Sequence, residues 1–179
     1  MMNQHFSHKI LHPDASEFPA SLSNYISQVS HAELLTGLSE TKKTTLTFLN
    51  SLPTEKRFFR YEENKWTIQD ILQHLLDAER IFAYRALRFA RKDLTVLSPF
   101  EENDYAETSG ANQRQWMDIL LEYDAVRQST IHLFNSFSEE VLSLKGKSGP
   151  NTISVRALGF AILGHEMHHL KVIQERYLD

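Results

Sequence analysis

Cysteine is absent from this 179-residue chain. The protein therefore has no disulfides, no thiolate metal ligands and no cysteine nucleophile, and it is compatible with a reducing compartment. Only six glycines occur, and none of them form a phosphate-binding cluster, so a P-loop or dinucleotide fingerprint is excluded. The formal net charge of −4 provides no basic surface for nucleic acid or an anionic membrane.

Long hydrophobic runs are missing as well. No segment approaches the roughly 20 apolar residues that a membrane helix needs, and polar residues such as His8, Lys9 and Asp14 interrupt the N-terminal region. No signal peptide or membrane anchor is predicted, so we expect a cytoplasmic, unprocessed chain. With 41% hydrophobic residues, the length and composition fit a single globular domain.

The apolar residues recur with a helical period in four segments, at about 31–52, 67–91, 113–137 and 152–178. Thr67 and Asp70 form a variant of the capping box at the start of the second helix, and Asn151 or Thr152 is expected to cap the fourth. Each segment is amphipathic, which predicts an all-α four-helix bundle. The irregular stretch 92–112 is expected to carry the chain from one end of the bundle to the other.

Histidine is unusually frequent, with nine residues in the chain. On a helical wheel of about 100° per residue, His165 and His169 lie one turn apart on the core-facing stripe of the fourth helix. His168 lies on the flank of that stripe and is a weaker candidate. Two inward imidazoles at this spacing fit either buried core histidines or ligands of one metal ion.

His74 lies on the apolar stripe of the second helix, near its start. If the second and fourth helices run antiparallel, His74 meets His165 and His169 at one level of the bundle. A site of three histidines with open positions is what a catalytic metal requires. The remaining histidines show no such spacing and are predicted to be solvated: His5, His8, His12, His31 and His132.

Residues 165–169 also spell the H-E-x-x-H motif of zincin metallopeptidases, in which Glu166 would be the general base. The wheel places Glu166 about 100° away from His165, off the core stripe. Few residues follow His169, and no strands precede it to bind a peptide. A metallopeptidase is therefore the least favoured of the functions considered.

The fourth helix carries a second apolar face opposite His165, which includes Phe160, Leu163, Met167 and Leu170. A face of this kind needs a cover. Either the N-terminal arm or a second copy of the chain would provide one, and we favour a homodimer.

Several short sequence motifs, in the same order along the chain, resemble those of the DinB superfamily of DinB/YfiT-like proteins. They are Lys65-Trp66-Thr67-Ile68, His74-Leu75, Glu79-Arg80, the run 81–91, Pro99-Phe100 with Asp104-Tyr105, and Gly164-His165-Glu166 with His168-His169-Leu170. The resemblance spans roughly residues 25–178 and divides the chain into an N-terminal arm, 1–24, and a bundle domain, 25–179. Family loops often read Pro-Gly-Phe-Asp, whereas this chain has Ser98-Pro99-Phe100-Glu101.

The resemblance implies an up-down-down-up four-helix bundle with a divalent metal, zinc or nickel, held by His74, His165 and His169. It also implies a homodimer. Some family members transfer thiols and use a low-molecular-weight thiol, and others have no assigned activity. The expected function is thus a metal-dependent thiol-S-transferase or hydrolase acting on a small molecule.

Besides the disfavoured metallopeptidase, one alternative to this enzyme stays open. The metal could stabilise a non-enzymatic, stress-associated bundle, in which case four protein ligands are expected instead of three. For an enzyme, Glu101 and Asp104 in the long loop are the predicted catalytic bases, while Glu79 is a further candidate to activate the nucleophile or orient a histidine.

Overall fold

Four long helices form the core of residues 9–178, the part of the chain that the computed structural model describes. They are α2 (Leu34–Ser51), α3 (Ile68–Ala90), α5 (Trp116–Asn135) and α7 (Val155–Ile173), and a π-helical turn over Gln174–Leu178 extends α7. Shorter elements connect them: α1 (Ala20–Ile26), α4 (Glu102–Thr108), α6 (Glu139–Leu142), β1 (Lys145–Ser148) and β2 (Asn151–Ser154). The predicted all-α four-helix bundle is confirmed, and within residues 9–178 short helices and one two-stranded hairpin are added to it.

The start of α3 follows the predicted capping box. The Thr67 hydroxyl accepts a hydrogen bond from Asp70 N at 3.0 Å, and the Asp70 carboxylate accepts one from Thr67 N at 2.9 Å. Two of the free amide groups at the helix N-terminus are thereby satisfied. This fixed start sets the position of His74 on the second turn.

The predicted start of the fourth helix was wrong. Residues 151–154 form β2, which pairs antiparallel with β1, and α7 begins only at Val155. Ser154 is the cap, and its hydroxyl accepts a hydrogen bond from Ala157 N at 3.1 Å. The β-branched residues Thr152 and Ile153 favour a strand, and Gly149 provides the positive φ of 53° that the hairpin turn needs.

The long connection between α3 and α5 sets the topology of the bundle. It leaves the C-terminal end of α3 and returns to its beginning, where the Gln69 amide donates to the carbonyls of Ala111 at 2.6 Å and Arg114 at 2.9 Å. Therefore α5 starts at the same end as α3 and runs parallel to it. The predicted up-down-down-up order, with α7 antiparallel to α3, is confirmed.

The N-terminal segment covers part of the second apolar face of α7. Phe160 and Leu163 are fully buried, and the His12 ring lies 4.3 Å from the Phe160 ring. A side chain on Gly164 would collide with the Tyr25 carbonyl, and the Gln28 amide donates to the Gly164 carbonyl at 2.9 Å. Met167 and Leu170, at the other end of this face, are only half-buried, and the homodimer stays a prediction.

The boundary predicted between an arm, 1–24, and a domain, 25–179, also stays a prediction. His5 and His8, predicted to be solvated, lie outside the described residues. Within residues 9–178, no helix is long and apolar enough to cross a membrane.

An ion pair anchors the N-terminal segment to α7. The Arg156 guanidinium donates to both carboxylate oxygens of Glu17, with Nε at 2.8 Å from Oε2 and 3.1 Å from Oε1. Burial alone would raise the pKa of Glu17, but hydrogen bonds from Arg156 and Ser154 lower it from 4.5 to about 2. The charged form of Glu17 therefore favours the folded state.

We expect Glu17→Gln to lower the free energy of unfolding at pH 7 and to have a smaller effect near pH 2. The folded-state pKa is depressed, so the contribution of the carboxylate is complete above about pH 4.5 and is lost as the pH falls towards 2. Urea unfolding at a series of pH values measures this, with the exposed Glu107→Gln as the control. A loss of stability that is the same at pH 7 and pH 2 would contradict the assignment.

Candidate metal centre

Three imidazoles from two antiparallel helices face one another through the same nitrogen. His165 Nε2 lies 3.0 Å from His74 Nε2 and 3.1 Å from His169 Nε2. One nitrogen pair can share a proton, but a single Nε2 cannot satisfy two others in this way. Ligands at 2.0–2.1 Å around a tetrahedral ion would be about 3.4 Å apart, which is close to the two distances measured from His165.

These three histidines are the predicted ligands, and the fold brings all of them together. Their donor atoms lie within 4.8 Å of one another, and within residues 9–178 no fourth histidine or carboxylate joins this group. His74 and His165 are buried and His169 is half-buried. The donor set leaves room for at least one further ligand.

Burial keeps the three rings neutral. It lowers the pKa of His74 from 6.5 to about 4. For His169, burial and then the proximity of His74 and His168 lower the pKa to about 3, and the pKa of His165 falls well below its ordinary value for the same kinds of reason. Neutral imidazoles have a free lone pair at pH 7, so no proton has to leave before a metal binds.

Aromatic side chains enclose the triad. The Trp66 ring lies 4.7 Å from the ring of His74 and is stacked on that of His169 at 6.4 Å. Tyr25, from α1, packs its edge against His165 at 5.2 Å. These contacts restrict the rotation of the imidazoles and reduce their access to water.

The other histidines of the described chain lie outside the triad. His168 packs edge-on against His169 at 5.1 Å but does not converge with the three ligands, as the helical wheel predicted. His12 and His132 are exposed, in agreement with the prediction. His31 is half-buried, 3.4 Å from the carboxylate of Glu40, and is thus less solvated than predicted.

A cavity of about 280 Å³ opens beside His169. Its walls come from four parts of the chain, namely the segment before α3, α3 itself, α4 and the end of α7. The lining residues are Tyr61, Asn64, Lys65, Trp66, Ile71, Glu102, Asn103, His168, His169, Val172 and Tyr177. A small molecule in this cavity would lie against the exposed side of the triad.

The loop acids predicted as bases do not line this cavity. Glu101 is the N-cap of α4 and accepts a hydrogen bond from Asn103 N at 3.4 Å, and Asp104 is exposed on the same helix. Glu102, which lies between them in sequence, is the acid that lines the cavity. The catalytic roles of Glu101 and Asp104 stay predictions.

A cluster of buried charged side chains, Arg127, Glu79 and Glu166, lies next to the triad. This buried charge cluster was not predicted from the sequence. Arg127 of α5 is 1% exposed and donates to Glu79 through Nε at 2.9 Å and through a terminal nitrogen at 2.7 Å. Its other terminal nitrogen donates to Glu166 at 2.7 Å. Although burial alone would lower the pKa of Arg127, the charges of Glu166 and Glu79 raise it well above its ordinary value.

Glu166 is thus off the triad, as the helical wheel indicated, but it is not on the surface. Its carboxylate also accepts hydrogen bonds from the hydroxyls of Thr45, at 2.8 Å, and Tyr123. A carboxylate held by three donors in the core cannot serve as the base of a metallopeptidase. The H-E-x-x-H sequence therefore arises here from two histidines of the triad and one carboxylate of the buried charge cluster.

Glu79, like Glu166, is a carboxylate of the buried charge cluster. Both of its oxygens accept hydrogen bonds from Arg127, which leaves it poorly placed as a base. The sequence does indicate that Arg127 faces inward. It follows Tyr123 by four residues and precedes Thr130 by three, and both lie on the inward stripe of α5. By contrast, no sequence pattern marked Tyr61 or Tyr177 as cavity residues.

The comparisons with known proteins agree with this fold. The sequence profile of the DinB superfamily matches residues 38–173. No curated protein matches the chain. Among solved structures, YfiT from Bacillus subtilis has a TM-score of 0.71 and 14% identity over 83% of this chain and 87% of its own. That protein is described as a probable metal-dependent hydrolase with an unusual four-helix bundle topology.

We expect His74→Ala, His165→Ala and His169→Ala each to reduce the bound divalent metal to a small fraction of the stoichiometric amount. Each change removes one of three ligands, and the remaining pair binds an ion far more weakly. Metal analysis of untagged protein measures this, with His132→Ala as a matched control. Full metal retention in all three variants would contradict the site.

We expect Arg127→Met to lower the free energy of unfolding by about 3–5 kcal/mol, because two buried carboxylates lose their cation. Arg80→Met is the control. Its guanidinium lies 2.6 Å from Glu122 in a partly exposed pair, for which about 1 kcal/mol or less is expected. Urea unfolding measures the free energy of unfolding of both variants. Equal decreases would contradict a larger contribution of the Arg127 cluster to stability.

Proposed function

We propose that this chain, which belongs to the DinB superfamily, is a metal-dependent hydrolase of a small molecule. His74, His165 and His169 hold one divalent ion, zinc or nickel, and water is the nucleophile. The observation that carries this proposal is the convergence of three Nε2 atoms without a fourth protein ligand among the described residues. A structural site would have four protein ligands, whereas a catalytic site keeps a position for water or substrate.

The residues present fit such an ion. Imidazole nitrogen suits zinc and nickel equally, and the absence of thiolate and carboxylate donors leaves the charge of the ion uncompensated by its ligands. When bound, the ion would lower the pKa of a bound water or thiol towards neutrality. The protein itself fixes the three rings through Trp66 and Tyr25 and admits substrate through the cavity beside His169.

Two uses of the same site compete with hydrolysis. A thiol-S-transferase would place a low-molecular-weight thiol where the hydrolase places water, and the family resemblance supports this as the second candidate. A non-enzymatic bundle would use the ion only for stability. Water is favoured because the similar solved structure is described as a probable hydrolase, and the cavity favours an enzyme over a structural site.

We expect turnover to depend on the metal. The full chain, stripped with a chelator and reloaded with zinc or nickel, is assayed against a panel of small esters and amides and against thiol–electrophile pairs. Activity should be absent from stripped protein and from metal-exposed His165→Ala, and it should return on reloading the native chain. Inactivity with every metal and substrate, together with four protein ligands by X-ray absorption, would favour the non-enzymatic bundle.

The same assay tests the predicted bases. If Glu101 or Asp104 transfers a proton, Glu101→Gln or Asp104→Asn lowers kcat by about 100-fold or more. Glu107→Gln, on the same short helix, is the control. Unchanged kcat in both variants would remove these acids from the mechanism.

A further inference from the structure

Two unpaired charges of opposite sign line the cavity beside the triad. Lys65 precedes α3, Glu102 belongs to α4, and both residues are exposed at the rim. No other residue in the range 9–178 forms an ion pair or a hydrogen bond with the Lys65 ammonium or the Glu102 carboxylate. The nearby Arg60 is paired with Asp70, its guanidinium 3.3 Å from that carboxylate.

The two charges flank the metal centre from different elements. Lys65 is adjacent in sequence to Trp66, whose ring lies 4.7 Å from the ring of His74. Glu102, from α4, lines the same cavity as His169.

The cavity lining also includes apolar and neutral side chains. Trp66, Ile71 and Val172 provide apolar walls, while Asn64 and Asn103 add neutral amides. A volume of about 280 Å³ corresponds to roughly nine water molecules at about 30 Å³ each. The space suits a molecule the size of an amino acid or a dipeptide, with a short hydrocarbon part.

We propose that the cavity binds a small zwitterion, whose carboxylate contacts Lys65 and whose ammonium contacts Glu102, with its reactive group directed to the triad. The substrate class is an amino-acid-like amide or ester. This inference rests on the proposed function, since it needs an open position on the ion. Charges of opposite sign in one cavity favour a ligand that carries both groups over a ligand that carries only one of them.

Four hydroxamates of matched length test the proposal, because the hydroxamate group anchors each to the ion. Propionohydroxamate has no charge, β-alanine hydroxamate adds the ammonium, succinic monohydroxamate adds the carboxylate, and aspartate β-hydroxamate has both. Each is titrated into the full chain containing cobalt(II), and binding is followed by the visible cobalt spectrum. We expect aspartate β-hydroxamate to bind most tightly, with each charge adding about three- to fivefold.

Variants assign each charge to its partner. Lys65→Met should weaken the two carboxylate probes about three- to fivefold and leave β-alanine hydroxamate unchanged, and Glu102→Gln should do the reverse. Lys43→Met and Glu107→Gln, both at exposed positions outside the cavity, are the matched controls. Circular dichroism confirms that each variant is folded.

The possible failures are distinguishable. The zwitterion proposal is overturned if all four probes bind with equal affinity. It is also overturned if the loss of affinity in the variants does not depend on the charge of the probe. In both cases the proposed open position on the metal ion is still supported. If no probe changes the cobalt spectrum of a protein that holds one equivalent of metal, the open position is absent, and both proposals fall.

Discussion

The antiparallel contact between α3 and α7 is the constraint on which the candidate site depends. His74 lies near the start of α3, and His165 and His169 lie in the second half of α7, so only opposed helix directions bring them to one level. The long connection that returns from the end of α3 to its start makes α5 parallel to α3 and leaves α7 as the antiparallel partner. Burying three imidazoles with converging nitrogens costs free energy unless something binds them, and a divalent cation is the partner that satisfies all three at once.

The charge cluster beside the triad follows from the same packing. Glu166 is the next residue after His165, so a helix that directs His165 towards α3 turns Glu166 towards α2 and α5. There Arg127, Thr45 and Tyr123 provide the hydrogen bonds that a buried carboxylate needs. Turning α7 about its axis would separate Glu166 from these donors, so the cluster fixes the rotation of α7. It also explains why one short sequence motif contains residues of two different sites.

Elements outside the four long helices complete the site. Tyr25 from α1 encloses one side of the triad, and α4 in the long connection provides Glu102 and Asn103 to the cavity. The N-terminal segment is held by the Glu17–Arg156 ion pair and covers part of the apolar face of α7, around Phe160. The bundle thus holds the three histidines, while the connecting segments form part of the cavity through which a small molecule would approach them.

Much of this arrangement could be predicted because a helical period fixes the direction of each side chain around its own axis. It separated His165 and His169 from His168, placed His74 on an inward stripe, and identified Thr67 as a cap. The prediction failed at the start of α7, where strand and helix compete for the same residues. There, β-branched residues pair as a strand instead of extending the helix.

The sequence by itself determined the four helices and the three histidines that face inward, since both depend on the spacing of residues within one element. Only the tertiary structure decided the partners of Arg127, the inward direction of Glu166, and the position of Glu102, instead of Glu101 or Asp104, on the cavity wall. Each of these depends on which residue of another element lies opposite. The histidine triad belongs to both groups, because the spacing within each helix selected its members and the antiparallel packing of α3 against α7 brought their nitrogens together.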